Sequence, residues 1–184
     1  MYIINGDNIK TQLHEMTVAD LEQALEILNK QDLLPIEKYI DVIELLGASQ
    51  ATLDQMSNDT LFEIIQDFNR ARSGEGITAL PRTFTDNGIL YEAYPEGEEF
   101  TIRVKQLAMI ERVLSMPGGW YSGILAVLFK RPEHSIREHF EEVNVKNRIK
   151  LFRQQPADVF FGYVIRVNES ITRNLQTSQP GNEE

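Results

Sequence analysis

The chain has 184 residues, no cysteine and a formal net charge of −10. With 42% apolar and 25% charged residues it has the composition of a globular protein that buries a core as one domain or two small lobes. The missing cysteines exclude a disulfide framework, a thiolate zinc site and a cysteine nucleophile. No apolar run reaches the roughly 20 residues of a membrane span, and Met1–Gly6 lacks the basic start of a secretory signal, so a soluble protein is expected.

In chain order, Tyr2–Ile4 and Asn8–Leu13 flank Asn5-Gly6, a dipeptide that favours the positive-φ turn of a hairpin. Thr17 followed by Asp20 reads as an N-cap for a helix with Val18, Leu21, Ala24, Leu25 and Leu28 inward and Glu22 and Glu26 outward. Pro35 opens a second helix with the stripe Ile36, Tyr39, Ile40, Ile43 and Leu46, closed by Gly47. Ala48–Met56 is a short helical turn. Ser57 caps a third helix through Asn69, with Leu61, Ile64, Ile65 and Phe68 inward. Residues 73–83 lose periodicity and read as a linker or long loop.

The second half repeats this order. A hairpin forms around Asn87-Gly88, and an acidic loop (Glu96, Glu98, Glu99) follows. Thr101 then leads into a helix bearing Val104, Leu107, Ala108, Val113 and Leu114. After Pro117-Gly118-Gly119 comes Trp120–Phe129, with the one tryptophan and an unbroken apolar run from Ile124. Ser135 and Glu138 form a capping box for a short helix with Ile136 and Phe140. Helices at Val145–Phe152 and Pro156–Val167 complete the set, and a frayed tail is expected from Asn174. The expected fold is thus mainly α within the α+β class, a helical bundle with two short β-hairpins. Its segments are 1–72, a linker 73–83, a second unit 84–173 and a tail 174–184. The matching offsets of Asn5-Gly6 with Asn87-Gly88 and of Tyr39 with Tyr121 suggest two related βαα lobes.

Catalytic and metal-binding motifs are not found. His134 and His139 are five apart and do not match a His-x-x-x-His metal helix, so surface positions are expected for both. No phosphate-binding loop, dinucleotide fingerprint or nucleophile elbow occurs, and the paired acids, such as Glu141-Glu142, fall in polar runs. No catalytic residue, metal or cofactor is therefore expected, nor an enzyme. Charge is uneven: −8 over residues 1–72, −3 over 73–129 and +1 over 130–184. An acidic chain repels phosphate backbones, which argues against nucleic acid as a partner, and no membrane partner is expected. Lys146, Lys150 and Arg153 lie near one another at helical spacing and offer a grip for an acidic partner or a second copy. Trp120, Tyr121, Phe160, Phe161 and Tyr163 form a dense aromatic set. The helix from Pro156 is apolar on nearly every side, so part of it is expected to face a partner chain.

Two groups of segments resemble small assembly proteins of tailed bacteriophages, tail assembly chaperones in particular. One is Met16–Leu21 followed by Ile43–Ser49 and Leu53–Asp59, in which a Thr-x-x-Asp cap leads to an apolar helix ending in Gly. The other is Gly88–Ile102 with Trp120–Phe129. The resemblance implies a non-enzymatic protein in the host cytoplasm that holds a hydrophobic or helical partner, such as a tail or other virion protein, until assembly. The alternative it implies is a structural virion component, a head–tail connector or ring protein that forms homo-oligomers.

Overall fold

The computed structural model describes residues 1–74, 77, 80–93, 102–115 and 120–177. The fold is mainly helical with two small antiparallel sheets, an α+β arrangement. Strands β1 (Tyr2–Ile4) and β2 (Asp7–Ile9) form the first hairpin; β3 (Thr83–Asp86) and β4 (Ile89–Ala93) form the second. In each the turn is Asn-Gly with positive φ at both residues, Asn5 51° and Gly6 90°, Asn87 48° and Gly88 78°. That is the turn whose twist matches the flanking strands. Among the described residues, the first hairpin is followed by four α-helices and the second by two before the next strand. Residues 94–101, with the acidic loop and Thr101, and residues 116–119, with the Pro-Gly-Gly breaker, lie outside the described residues.

After the first hairpin come α1 (Val18–Leu28), α2 (Pro35–Leu45), α3 (Gln50–Gln55) and α4 (Asn58–Arg72). Their starts follow local chemistry. Thr17 accepts a hydrogen bond from the Asp20 amide at 3.1 Å, and the Asp20 carboxylate accepts one from the Thr17 amide at 2.9 Å. Ser49 and Ser57 cap α3 and α4 in the same way. After the second hairpin come α5 (Val104–Leu114), α6 (Trp120–Leu128), strand β5 (Phe129–Lys130), and α7 (Ile136–His139) capped by Ser135. The chain ends in α8 (Glu142–Arg153) and α9 (Ala157–Thr177).

The buried helix α6 is the centre of the molecule: Ser122 through Phe129 are all buried, and α1, α5, α8 and α9 pack around it. A Cβ at Gly123 would overlap the Val113 side chain, so glycine lets α5 and α6 approach closely. One apolar core runs from Ile9 and Met16 through α1, α4 and α6 to Val167. The two halves are also stitched through the backbone: Val18 N–H donates to Gln155 O and Ala157 N–H to Met16 O, both at 2.9 Å.

Several expectations need correction. Phe129 leaves the helix and pairs with Ala93, turning the second hairpin into a three-stranded sheet. In α5 the inward residues are Gln106, Ile110 and Val113, whereas Val104, Ala108 and Leu114 are exposed. Helix α8 begins three residues before Val145, and α9 continues through Thr177 rather than fraying at Asn174. Residues 178–184 lie outside the described residues.

Candidate partner-binding groove

The aromatic residues predicted as a contact surface separate into inside and outside. Phe160, Phe161 and Tyr163 are buried, so these three rings belong to the core and do not form the exposed contact surface expected of them. The second hairpin supplies the missing cover. Phe84 packs against Phe160 (ring centroids 5.1 Å), Phe152 (5.2 Å), Phe129 (5.6 Å) and, stacked, Tyr91 (4.8 Å). Tyr163 closes the cluster against Phe129 at 5.0 Å and donates its hydroxyl to Pro81 O at 2.7 Å. Burial pushes the Tyr163 phenol up to about 12, so it stays a neutral donor. Trp120 remains 40% exposed at the start of α6. Tyr121 is half-buried and meets Phe161 edge-on at 5.4 Å. These two rings line an opening of about 660 Å³ with Arg72, Ser73, Ile165 and Thr172.

The basic residues do not act as one grip. Lys146 pairs with Glu142 of its own helix, and Arg153 turns to Glu22 of α1 with Nε 3.6 Å from the carboxylate. Lys150 is exposed.

His139, expected at the surface, is buried, as is Arg148, and together they end α6. Arg148 Nε–H donates to Ala126 O at 2.7 Å and an Nη2–H to His139 O at 2.6 Å; His139 Nε2–H donates to Val127 O at 2.8 Å. The chain passes from α6 directly into β5, so the last carbonyls of the helix need such donors. Burial first, then the Arg148 charge, pulls the His139 imidazole down to about 4. Burial draws Arg148 down to about 10, and it remains cationic.

At the opposite end of α6 stands Glu22, predicted to face solvent but buried instead. Its Oε1 accepts from the Ser122 amide and the Ser122 hydroxyl, both at 2.7 Å. Burial raises its pKa, opposed by those hydrogen bonds and by the charge of Arg153. An acid at the N-terminus and a guanidinium at the C-terminus thus complement the dipole of a buried helix. This polar set is structural, and periodicity alone could not find it. Among the described residues no group of three or more His, Asp or Glu side chains could hold a metal ion.

A second opening lies in the acidic half. Ile36 and Ile40 of α2, Leu53 and Met56 beside α3, and Leu61 and Phe62 of α4 line a groove of about 380 Å³, with Asn58 at its edge. Ile36 is 41% and Phe62 55% exposed, and Leu34, just before α2, is 64% exposed. The predicted stripe of α2 therefore splits. Ile43 and Leu46 enter the core, joined by Val42 from outside the stripe, while Ile36 and Ile40 face the groove. Ile36, Ile40 and Ile43 share one face at i, i+4 and i+7, so the spacing marked an apolar face without showing how much of it the core covers.

No helix among the described residues is long and apolar enough to cross a membrane. The chain matches no protein-family profile, no curated protein sequence and no solved structure.

Proposed function

We propose that this chain is a non-enzymatic assembly factor that shields an apolar or helical segment of another protein, in the manner of a tail assembly chaperone working in the cytoplasm of an infected cell. The observation that supports it most is the open apolar groove between α2, α3 and α4, in which Phe62 and Ile36 stay exposed although a continuous core is available a few ångströms away. Contiguous exposed apolar side chains in a soluble fold mark contact sites, and Met56 adds the adaptable packing that permissive binding surfaces use. The high negative charge keeps a complex with a sticky client in solution.

The test is suppression of aggregation. Reduced insulin chains, which precipitate on their own, are followed by turbidity with the wild type and with Phe62→Asp. The reading predicts suppression near equimolar ratio and its loss in the variant. Absence of suppression by the wild type contradicts it.

A second reading, a ring or connector component, draws on charge polarity: the chain carries −8 over residues 1–72 and +1 over 130–184. Such polarity suits head-to-tail contacts between copies. Light scattering after size-exclusion chromatography separates the two, since a ring component forms a stable closed oligomer without any client.

A further inference from the structure

We infer that the occupant of the α2–α4 groove is an amphipathic helix of another protein whose apolar stripe is flanked by lysine or arginine. The inference rests on the protein-binding reading above and adds the chemistry of the partner.

The helical form follows from what the groove offers. Its walls are helices, whose backbone groups are already paired internally. A segment lying on Ile36, Met56 and Phe62 finds apolar side chains and no strand edge. It must satisfy its own amides and carbonyls, which a helix does and an extended strand does not.

The charge requirement follows from the rim. Residues 32–67, which contain the whole groove, hold eight acidic residues and a single cation, Lys38. That lysine is turned away, its ammonium donating to Leu28 O of α1 at 3.1 Å. Along α4, Asp59, Glu63 and Asp67 succeed one another at four-residue spacing, and Phe62 lies beside them. Like charges at this spacing oppose helix formation. Arg70 offsets Asp67 from 3.5 Å, and Tyr2 donates to the same carboxylate. Asp59 and Glu63 are exposed and lie together on one side of Phe62. Glu37, likewise exposed, adjoins Ile36 across the groove and accepts the Leu34 amide at 2.8 Å. An apolar floor with exposed carboxylates next to it on both α2 and α4 selects a helix with an apolar stripe and cationic flanks, and repels one with acidic flanks.

The experiment uses the full chain and two fluorescein-labelled helical peptides of about five turns. Both carry the same leucine stripe, one flanked by lysine and the other by glutamate, and binding is read by anisotropy. The lysine peptide is expected to bind at least about tenfold tighter at low salt, with the advantage shrinking as salt screens the rim. Phe62→Asp should lose both peptides, and the double variant Asp59→Lys/Glu63→Lys should narrow or reverse the preference. All three positions are exposed, and circular dichroism checks that the variants fold. Equal binding of the two peptides overturns the inference, as does binding indifferent to Phe62→Asp. So does a self-association that Phe62→Asp abolishes while neither peptide binds, which would make a second copy the occupant. If the peptides fail but insulin aggregation is still suppressed, the inference falls and the protein-binding reading stands. If both vanish, both fall.

Discussion

Arg148 shows how much one buried side chain can hold. Two of its N–H groups satisfy Ala126 O and His139 O, so Arg148→Met leaves two buried acceptors without those donors. A loss on the order of 3 kcal/mol is expected in urea unfolding, and less for Arg148→Lys, which keeps the charge and can reach one carbonyl. His139 adds a pH dependence. Its folded value of about 4 lies below the unfolded 6.5. Between these values the unfolded chain binds more protons, so stability rises with pH across the window. The contribution is fully present above about pH 6.5 and falls away towards pH 4, by roughly 3 kcal/mol. Glu22 acts with the opposite sign: its raised pKa means the folded state holds the proton longer, so its contribution declines as pH rises above its unfolded value. Denaturant titrations of His139→Gln between pH 4 and 7 should show a flatter profile than the wild type. An unchanged profile would place the acid sensitivity elsewhere.

The helices differ in what fixes them. Helix α6 is held by close approach and by its two ends. Gly123→Ala pushes a methyl group into the stiff, buried Val113 and should cost about 1–3 kcal/mol in thermal or urea unfolding. Helix α9 is held by the aromatic cluster, so Phe160→Ala should cost about 3–5 kcal/mol. Phe62→Asp, on the open side of α4, should shift the unfolding midpoint little. That contrast separates core rings from a contact ring. It also shows which features the sequence made legible. The Asn-Gly turns and the Thr17, Ser57 and Ser135 caps depend on a few adjacent residues, and the fold class followed from them together with apolar periodicity. Glu22, His139 and Arg148 could not be read as buried, because their partners lie 100, 12 and 22 residues away. Helix α9 looked too apolar to be covered only because the cover, Phe84, comes from a four-residue strand in a different part of the chain. Neither Phe62 nor the outward turn of Ile36 stood out, since helical spacing shows that a face is apolar but not what it meets.

Across the whole molecule, polar and apolar ties run in opposite directions along the chain yet converge on α6. Glu22 and the Thr17–Pro156 bridge bind the acidic first part to the later helices, and Arg148 locks the far end of α6. The order hairpin, helix, helix occurs twice, with two different outcomes. In the second occurrence the later helix, α6, is buried; in the first, α2 stays at the surface and contributes a wall of the groove. The most direct test is hydrogen–deuterium exchange of the full chain, alone and with the lysine-flanked peptide. Binding at the groove predicts slowed exchange in segments from α2 through α4, with the 157–167 segment of α9 unchanged. Slowing confined to α8 and α9, with α2–α4 unaffected, would contradict it.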